Sequence, residues 1–118
     1  LDGVVVGVRL IDGPHEHAVL EREVPMRAAV QATREALHNA ARHGRQPISV
    51  YAELSHHVLE IFVRDSGPGF DPDEVDPDRL GITNSIVGRV KRHGGEAVLT
   101  SAPGRATEVH ITVPREEP

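Results

Sequence analysis

At 118 residues and 12.8 kDa the chain has room for one compact domain, which excludes a multi-domain organisation. Hydrophobic residues make up 38% and charged residues 26%, an ordinary balance for a globular protein, while an aromatic share of 3% leaves Val, Leu, Ile and Ala to fill the core. A net charge of -5 supplies no basic field for a nucleic-acid backbone, and the absence of Cys removes disulfides, thiolate metal sites and Cys nucleophiles together.

Val4, Val6, Val8 and Leu10 alternate ahead of Asp12-Gly13-Pro14, which reads as a strand and a turn. Pro25 then opens a long segment that runs to Gly44, with Met26, Val30, Thr33, Leu37 and Ala40 at helical spacing. Ile48, Val50, Ala52 and Leu54 alternate next, and so do Leu59, Ile61 and Val63, with Ser55-His56-His57 between them. Two strands this close predict an antiparallel hairpin. From Ser66 to Arg79 the composition turns to Gly, Pro and acid, which predicts a loop. Ile82, Ile86 and Val90 predict a second helix, closed by Gly94-Gly95. A last hairpin follows: Ala97 to Thr100, a turn at Pro103-Gly104, then Val109, Ile111 and Val113. The predicted class is α+β, a two-layer α/β sandwich with a mixed, mostly antiparallel sheet and helices on one face.

Three groups of residues point to chemistry. On the first helix Glu35, Asn39 and His43 recur every four residues, within about 80° of arc, and Arg42 joins them. This stripe reads as lying away from the apolar one, flanked by the small residues Ala28, Ala32 and Ala36. A carboxylate, an amide and two cationic groups suit a metal-bound phosphate chain, although the pattern alone also describes a solvated helix face. The second group follows Val63, where Asp65-Ser66-Gly67-Pro68-Gly69 puts a carboxylate at the end of a strand. Such a carboxylate can accept a hydrogen bond from a purine amine while Gly67 and Gly69 let backbone approach the ligand. The third is Arg79-Leu80-Gly81-Ile82, read as a Gly-containing turn that opens a helix N-terminus toward phosphate oxygens.

In this order the three groups resemble the N box and the two glycine boxes of the ATP-binding catalytic domain of sensor histidine kinases. That domain belongs to a superfamily with gyrase, the heat-shock chaperone and the mismatch-repair proteins. The N box runs from Glu35 to His43, the glycine boxes are Asp65 to Gly69 and Leu80-Gly81, and Gly104 to Pro114 matches the closing strand. The resemblance implies ATP and Mg²⁺ as cofactors, with Asn39 ligating the metal and Glu35 as the catalytic group that polarises the attacking imidazole or water. It also implies that Arg42 and His43 touch the phosphates, that Asp65 and Thr107 hold the adenine, and that Gly67, Gly69, Leu80 and Gly81 line the nucleotide. The loop from Ser66 to Arg79 would be the ATP lid. Its shortness and its lack of a paired Phe motif resemble the nitrate- and desaturase-sensor kinases, and Arg79 stands where many relatives have Gly.

The expected role is therefore phosphoryl transfer from ATP to a His on a separate dimerisation hairpin, with a response regulator as the next partner. Two other readings stay open: an anti-sigma-factor-type serine kinase, or a non-catalytic nucleotide-binding interaction module. The chain opens at Leu1 already in a strand pattern, so it reads as a piece of a longer protein. No apolar run approaches the roughly 20 residues that cross a bilayer, so this domain is expected to make no membrane contact. The resemblance leads to the expectation of a cytoplasmic location, on its own or as the cytoplasmic part of a membrane-bound sensor. His15-Glu16-His17 and His56-His57 lack a third paired ligand and are read as surface rather than zinc sites. Arg89, Lys91 and Arg92 are read as the solvated face of the second helix.

Overall fold

The computed structural model describes residues 4–10, 24–71, 73 and 77–115. Strand β1 (Val4–Leu10) leads to helix α1 (Val24–His43), then strands β2 (Ile48–Leu54) and β3 (Val58–Arg64). Helix α2 (Pro77–Arg92) and strands β4 (Glu96–Thr100) and β5 (Glu108–Pro114) complete the described order. The five strands form one sheet in the order β1-β2-β3-β5-β4. Only the β1–β2 pair is parallel, as it must be when a helix provides the crossover between them; the other three ladders are antiparallel. The α+β class, the mixed sheet and both hairpins agree with the sequence reading.

The sheet has one packed face because the strands alternate. Leu59, Ile61 and Val63 of β3 are buried and sit directly opposite Val113, Ile111 and Val109 of β5. On the other side of β3 the same three residues face Leu54, Ala52 and Val50 of β2. Three apolar rows thus cross the central strands, each pair contributing through direct cross-strand contact. The opposite face carries Tyr51, Phe62 and His110 in register, with the Phe62 and His110 rings stacked at 4.2 Å.

Helix α1 covers the packed face with small side chains. Met26, Ala29, Ala32, Ala36 and Ala40 belong to the core cluster, together with Ile86 and Val90 of α2. Alanine keeps helix propensity high and adds little bulk, so the two helices and the sheet can approach closely. This corrects the sequence reading of α1. Val30, Thr33 and Leu37 are only partly buried, whereas Ala28, Ala32 and Ala36, read as flanking a polar stripe, are buried. Asn39 lies three residues from Ala36 and shares that buried face at 5% exposure, so it does not stand on a polar stripe clear of the packing.

Helix α2 begins earlier than its apolar pattern suggests. Pro77, Asp78, Arg79 and Leu80 are already helical, so the loop after Ser66 ends before Pro77 and not at Arg79. Gly81 is inside the helix and exposed; it makes no turn at a helix start. Proline at the first helical position explains the early start, since its missing N–H has no partner to lose there. The other end closes as expected. Gly94 adopts φ +81°, its N–H donates to Lys91 O at 3.1 Å, and the Gly95 N–H donates to Val90 O at 3.0 Å, the paired bonds of a Schellman cap. Gly95 is also required by packing, because a β-carbon there would fall 2.5 Å from Thr112 O. Among the described residues no helix is long and apolar enough to cross a membrane.

Candidate functional site

The end of α1, the end of β3 and the β4–β5 turn meet through backbone contacts. The Asp65 N–H donates to Thr107 O at 3.1 Å, and the Ser66 N–H donates to Arg45 O at 2.9 Å. The Ser66 hydroxyl reaches Pro47 O at 2.9 Å, so the segment after α1 is tied to the segment after β3. Pro68 O accepts from the Gly104 N–H at 2.6 Å, and the Phe70 N–H donates to Ser101 Oγ at 3.0 Å. Ser101 Oγ is in turn 2.8 Å from Thr107 Oγ1. The two loops that flank Asp65 are thereby fixed to one another.

Asp65 itself is 4% exposed and Thr107 5%. Asp65 Oδ1 accepts the Gly67 N–H at 2.7 Å, which closes a tight turn and leaves the carboxylate with further acceptor capacity. Gly69 has φ +69°, and a β-carbon on it would collide with the carbonyl oxygens of Ala102 and Arg105. Only glycine fits that place, on conformation and on space alike. Gly44 was not marked by the sequence as anything but a helix stop. Here it packs on Asp65, since a β-carbon at Gly44 would lie 2.5 Å from Asp65 Cγ.

Helix α1 brings its polar stripe to this junction. Asn39 Oδ1 and His43 Nε2 are buried and have no hydrogen-bond partner. A buried polar atom without a partner costs on the order of 1–3 kcal/mol, so two such atoms one helical turn apart mark a place for a ligand. Both are acceptors or donors of the kind a metal-bound phosphate chain engages. Arg42 is exposed in the last turn of the helix, next to them in sequence. The orphaned oxygen of Asn39 therefore fits an oxygen-seeking cation that keeps most of its waters, and the glycine-lined turn after Asp65 fits a nucleotide.

Glu35 takes a different partner from any expected. Its Oε1 lies 2.7 Å from Arg89 Nη1 of α2, both side chains being 29% exposed. Arg89 is thus an ion-pair partner and not part of a solvated face. No signal in the sequence links two residues on separate helices, and the same holds for Ser101 beneath Thr107. Gly81 stands apart from the cluster: among the described residues no heavy atom beyond its chain neighbours and its own helix backbone lies within 4 Å of where its β-carbon would be. The backbone of Leu80 lies in the same helix one residue earlier. His15-Glu16-His17 lies outside the described residues, and among those described no group of three His, Asp or Glu could hold a metal.

Comparison with known proteins bears on the family and the fold. The Bacillus subtilis sensor histidine kinase LiaS is 33% identical over 81 residues, which is 68% of this chain and 22% of that protein. The Mycobacterium tuberculosis sensor histidine kinase component HK1 is 35% identical over 98 residues, covering 70% of this chain and 58% of that protein. The chain therefore spans less than two thirds of either relative. The mycobacterial sensor histidine kinase MprB shares the fold, with a TM-score of 0.59 at 18% identity over 98% of this chain and 85% of that one. Residues 26–117, which hold all but the first two residues of α1, the whole of α2 and strands β2 to β5, match the histidine kinase-, DNA gyrase B- and HSP90-like ATPases, and to that family this chain belongs.

Proposed function

We propose that the chain is the Mg-ATP-binding catalytic module of a two-component sensor histidine kinase, which passes the γ-phosphoryl group of ATP to a His on a separate dimerisation hairpin. The observation that carries this reading is the pair of buried, unpartnered atoms Asn39 Oδ1 and His43 Nε2, on the helix whose end packs against Asp65. An ATPase of this family binds ATP, and these are the groups such a ligand would satisfy. The names of the curated relatives favour phosphotransfer to His over transfer to Ser.

In this reading Asp65 accepts from the adenine amine, and Thr107, held through its hydroxyl by Ser101, completes the base pocket. Asn39 would ligate Mg²⁺, and His43 and Arg42 would meet phosphate oxygens. Gly67 and Gly69 let the backbone lie close to the nucleotide, while Leu80 and Gly81 of α2 would border the phosphates. Mg²⁺ supplies charge neutralisation on the phosphates when bound. The protein then contributes mainly in-line positioning, for which no nucleophile of its own is needed. Glu35 would orient and polarise the incoming imidazole, and to do so its carboxylate must exchange Arg89 for that partner. The full-length protein, its hairpin, its response regulator and a cytoplasmic setting for this module are parts of the same proposal.

The test is transfer in trans. The chain, mixed with the phosphoacceptor hairpin of its own full-length protein and labelled ATP, should label the hairpin and not itself. Glu35→Ala should slow that transfer with little change in ATP affinity. Acid-labile phosphate appearing on the isolated chain, or none on the hairpin while ATP is bound, would reject the assignment.

A further inference from the structure

One cavity lies outside the cluster just described. It has a volume of about 330 Å³ and sits between the first turns of α1 and the last turns of α2, lined by Arg27, Ala28, Gln31, Arg89, Arg92 and His93. Among the described residues no carboxylate lines it. Three arginines from two helices, and the histidine that follows the second, thus border one space. Among the described residues neither Arg27 nor Arg92 has an ion pair, and Arg89 has one, with Glu35. Arg92 folds back along α2, its Nη1 3.5 Å from where a β-carbon of Gly88 would be, so the absent side chain at Gly88 leaves it room.

The cavity is continuous in register with the functional stripe. Arg27, Gln31, Glu35 and Asn39 follow each other at intervals of four along α1, so each stands one turn from the next. Arg89 is the member common to both regions, bordering the cavity and holding the Glu35 carboxylate.

We propose that this cavity is a binding site for a phosphate-type oxyanion, held by Arg27, Arg89 and Arg92 with Gln31 and His93 as further donors, and that its occupant draws Arg89 away from Glu35. Clustered arginines are unfavourable to hold together without a counter-charge, and the forked guanidinium geometry suits tetrahedral oxyanions. A phosphate dianion competes with one half-exposed carboxylate for Arg89 on favourable terms, because two further arginines line the same space. Binding at this site does not depend on the phosphotransfer reading; the use of a released Glu35 in transfer does rest on it.

The experiment is an NMR titration of the isotope-labelled chain with inorganic phosphate and, separately, with phenyl phosphate. The first probes a free ion, and the second a phosphoryl group carried on another molecule. The expected result is saturable shifts at the Arg89 and Arg92 side-chain Nε–H and the His93 ring, together with a shift of the Glu35 carboxyl carbon as its ion pair breaks. The tighter of the two probes identifies the source. Arg27→Gln combined with Arg92→Gln should weaken binding about tenfold or more. Both side chains belong to exposed residues, and an amide fingerprint spectrum checks that the variant is folded. Arg9→Gln, exposed on β1 and outside this cavity, should leave the affinity unchanged. Shifts that do not saturate, that survive the double substitution, or that fall on Arg42 and the Gly67–Gly69 turn in place of Arg89, Arg92 and His93 would overturn the proposal. So would saturation that leaves the Glu35 carboxyl signal unmoved.

Discussion

Gly44 lies so close to Asp65 that a β-carbon on the glycine would stand 2.5 Å from the carboxylate carbon and 2.6 Å from Oδ2. The end of helix α1 and the end of strand β3 are thereby set at a distance that no residue with a side chain permits. Any substitution there must push the carboxylate away or lift the helix end.

Gly44→Ala is accordingly expected to weaken ATP binding about tenfold or more while the core holds, since the added methyl meets the Asp65 carboxylate and the Ala40 carbonyl oxygen but no core side chain. Calorimetric titration with thermal unfolding of the same sample checks both halves. Normal affinity in a folded Gly44→Ala chain would show that the Asp65 carboxylate has no fixed place in nucleotide binding.

Asn39→Ala removes a buried oxygen that has no partner and extends the alanine face of α1 by one position. Without nucleotide the variant should be as stable as the parent or more stable, because the desolvation cost of the amide disappears and alanine favours the helix. With nucleotide it should lose the Mg²⁺ dependence of binding. Thermal unfolding with and without Mg-ATP reads both; a large loss of stability in the absence of nucleotide would make Asn39 a structural residue.

The strands and the helices were unequally legible in the sequence. Leu59, Ile61 and Val63, like Val109, Ile111 and Val113, alternate with polar or exposed neighbours because a sheet covered on one face demands it. Their pairing and their hairpins follow from that pattern. In α1 the buried side chains are mostly alanine, which contrasts weakly with its surroundings, so of the stripe Met26, Val30, Thr33, Leu37 and Ala40 that helical spacing indicates only the two ends are buried. Asn39 then looked like surface, although its type and its spacing from Glu35 and His43 had marked it for function. The sequence reads Gly81 as part of a turn that opens α2, yet a glycine in a helix interior costs only about 1 kcal/mol, and Pro77 is the better start signal. The Glu35–Arg89 pair joins two helices, and periodicity carries no information about it.

Ile111 is fully buried at the centre of the sheet, opposite Ile61 on one side and Ala97 on the other. Ile111→Ala should destabilise the domain by about 2–5 kcal/mol through lost burial and the cavity left behind. Denaturant unfolding measures it. A cost under about 1 kcal/mol would mean that the helices close over the gap and that the core is less tightly packed than the buried rows indicate.

The most direct measurement is a calorimetric titration of the chain with ATP and with GTP, each with and without Mg²⁺, repeated on Asp65→Asn. The parent should bind one ATP per chain, more tightly with Mg²⁺, and should discriminate against GTP, because the Asp65 carboxylate accepts from an amine that guanine does not carry at that position. Asp65→Asn should lose about 1.5–3 kcal/mol of ATP affinity, roughly a tenfold to hundredfold weakening, and much of that discrimination. No saturable ATP binding by the folded chain, or equal affinity for ATP in the parent and in Asp65→Asn, would contradict the account.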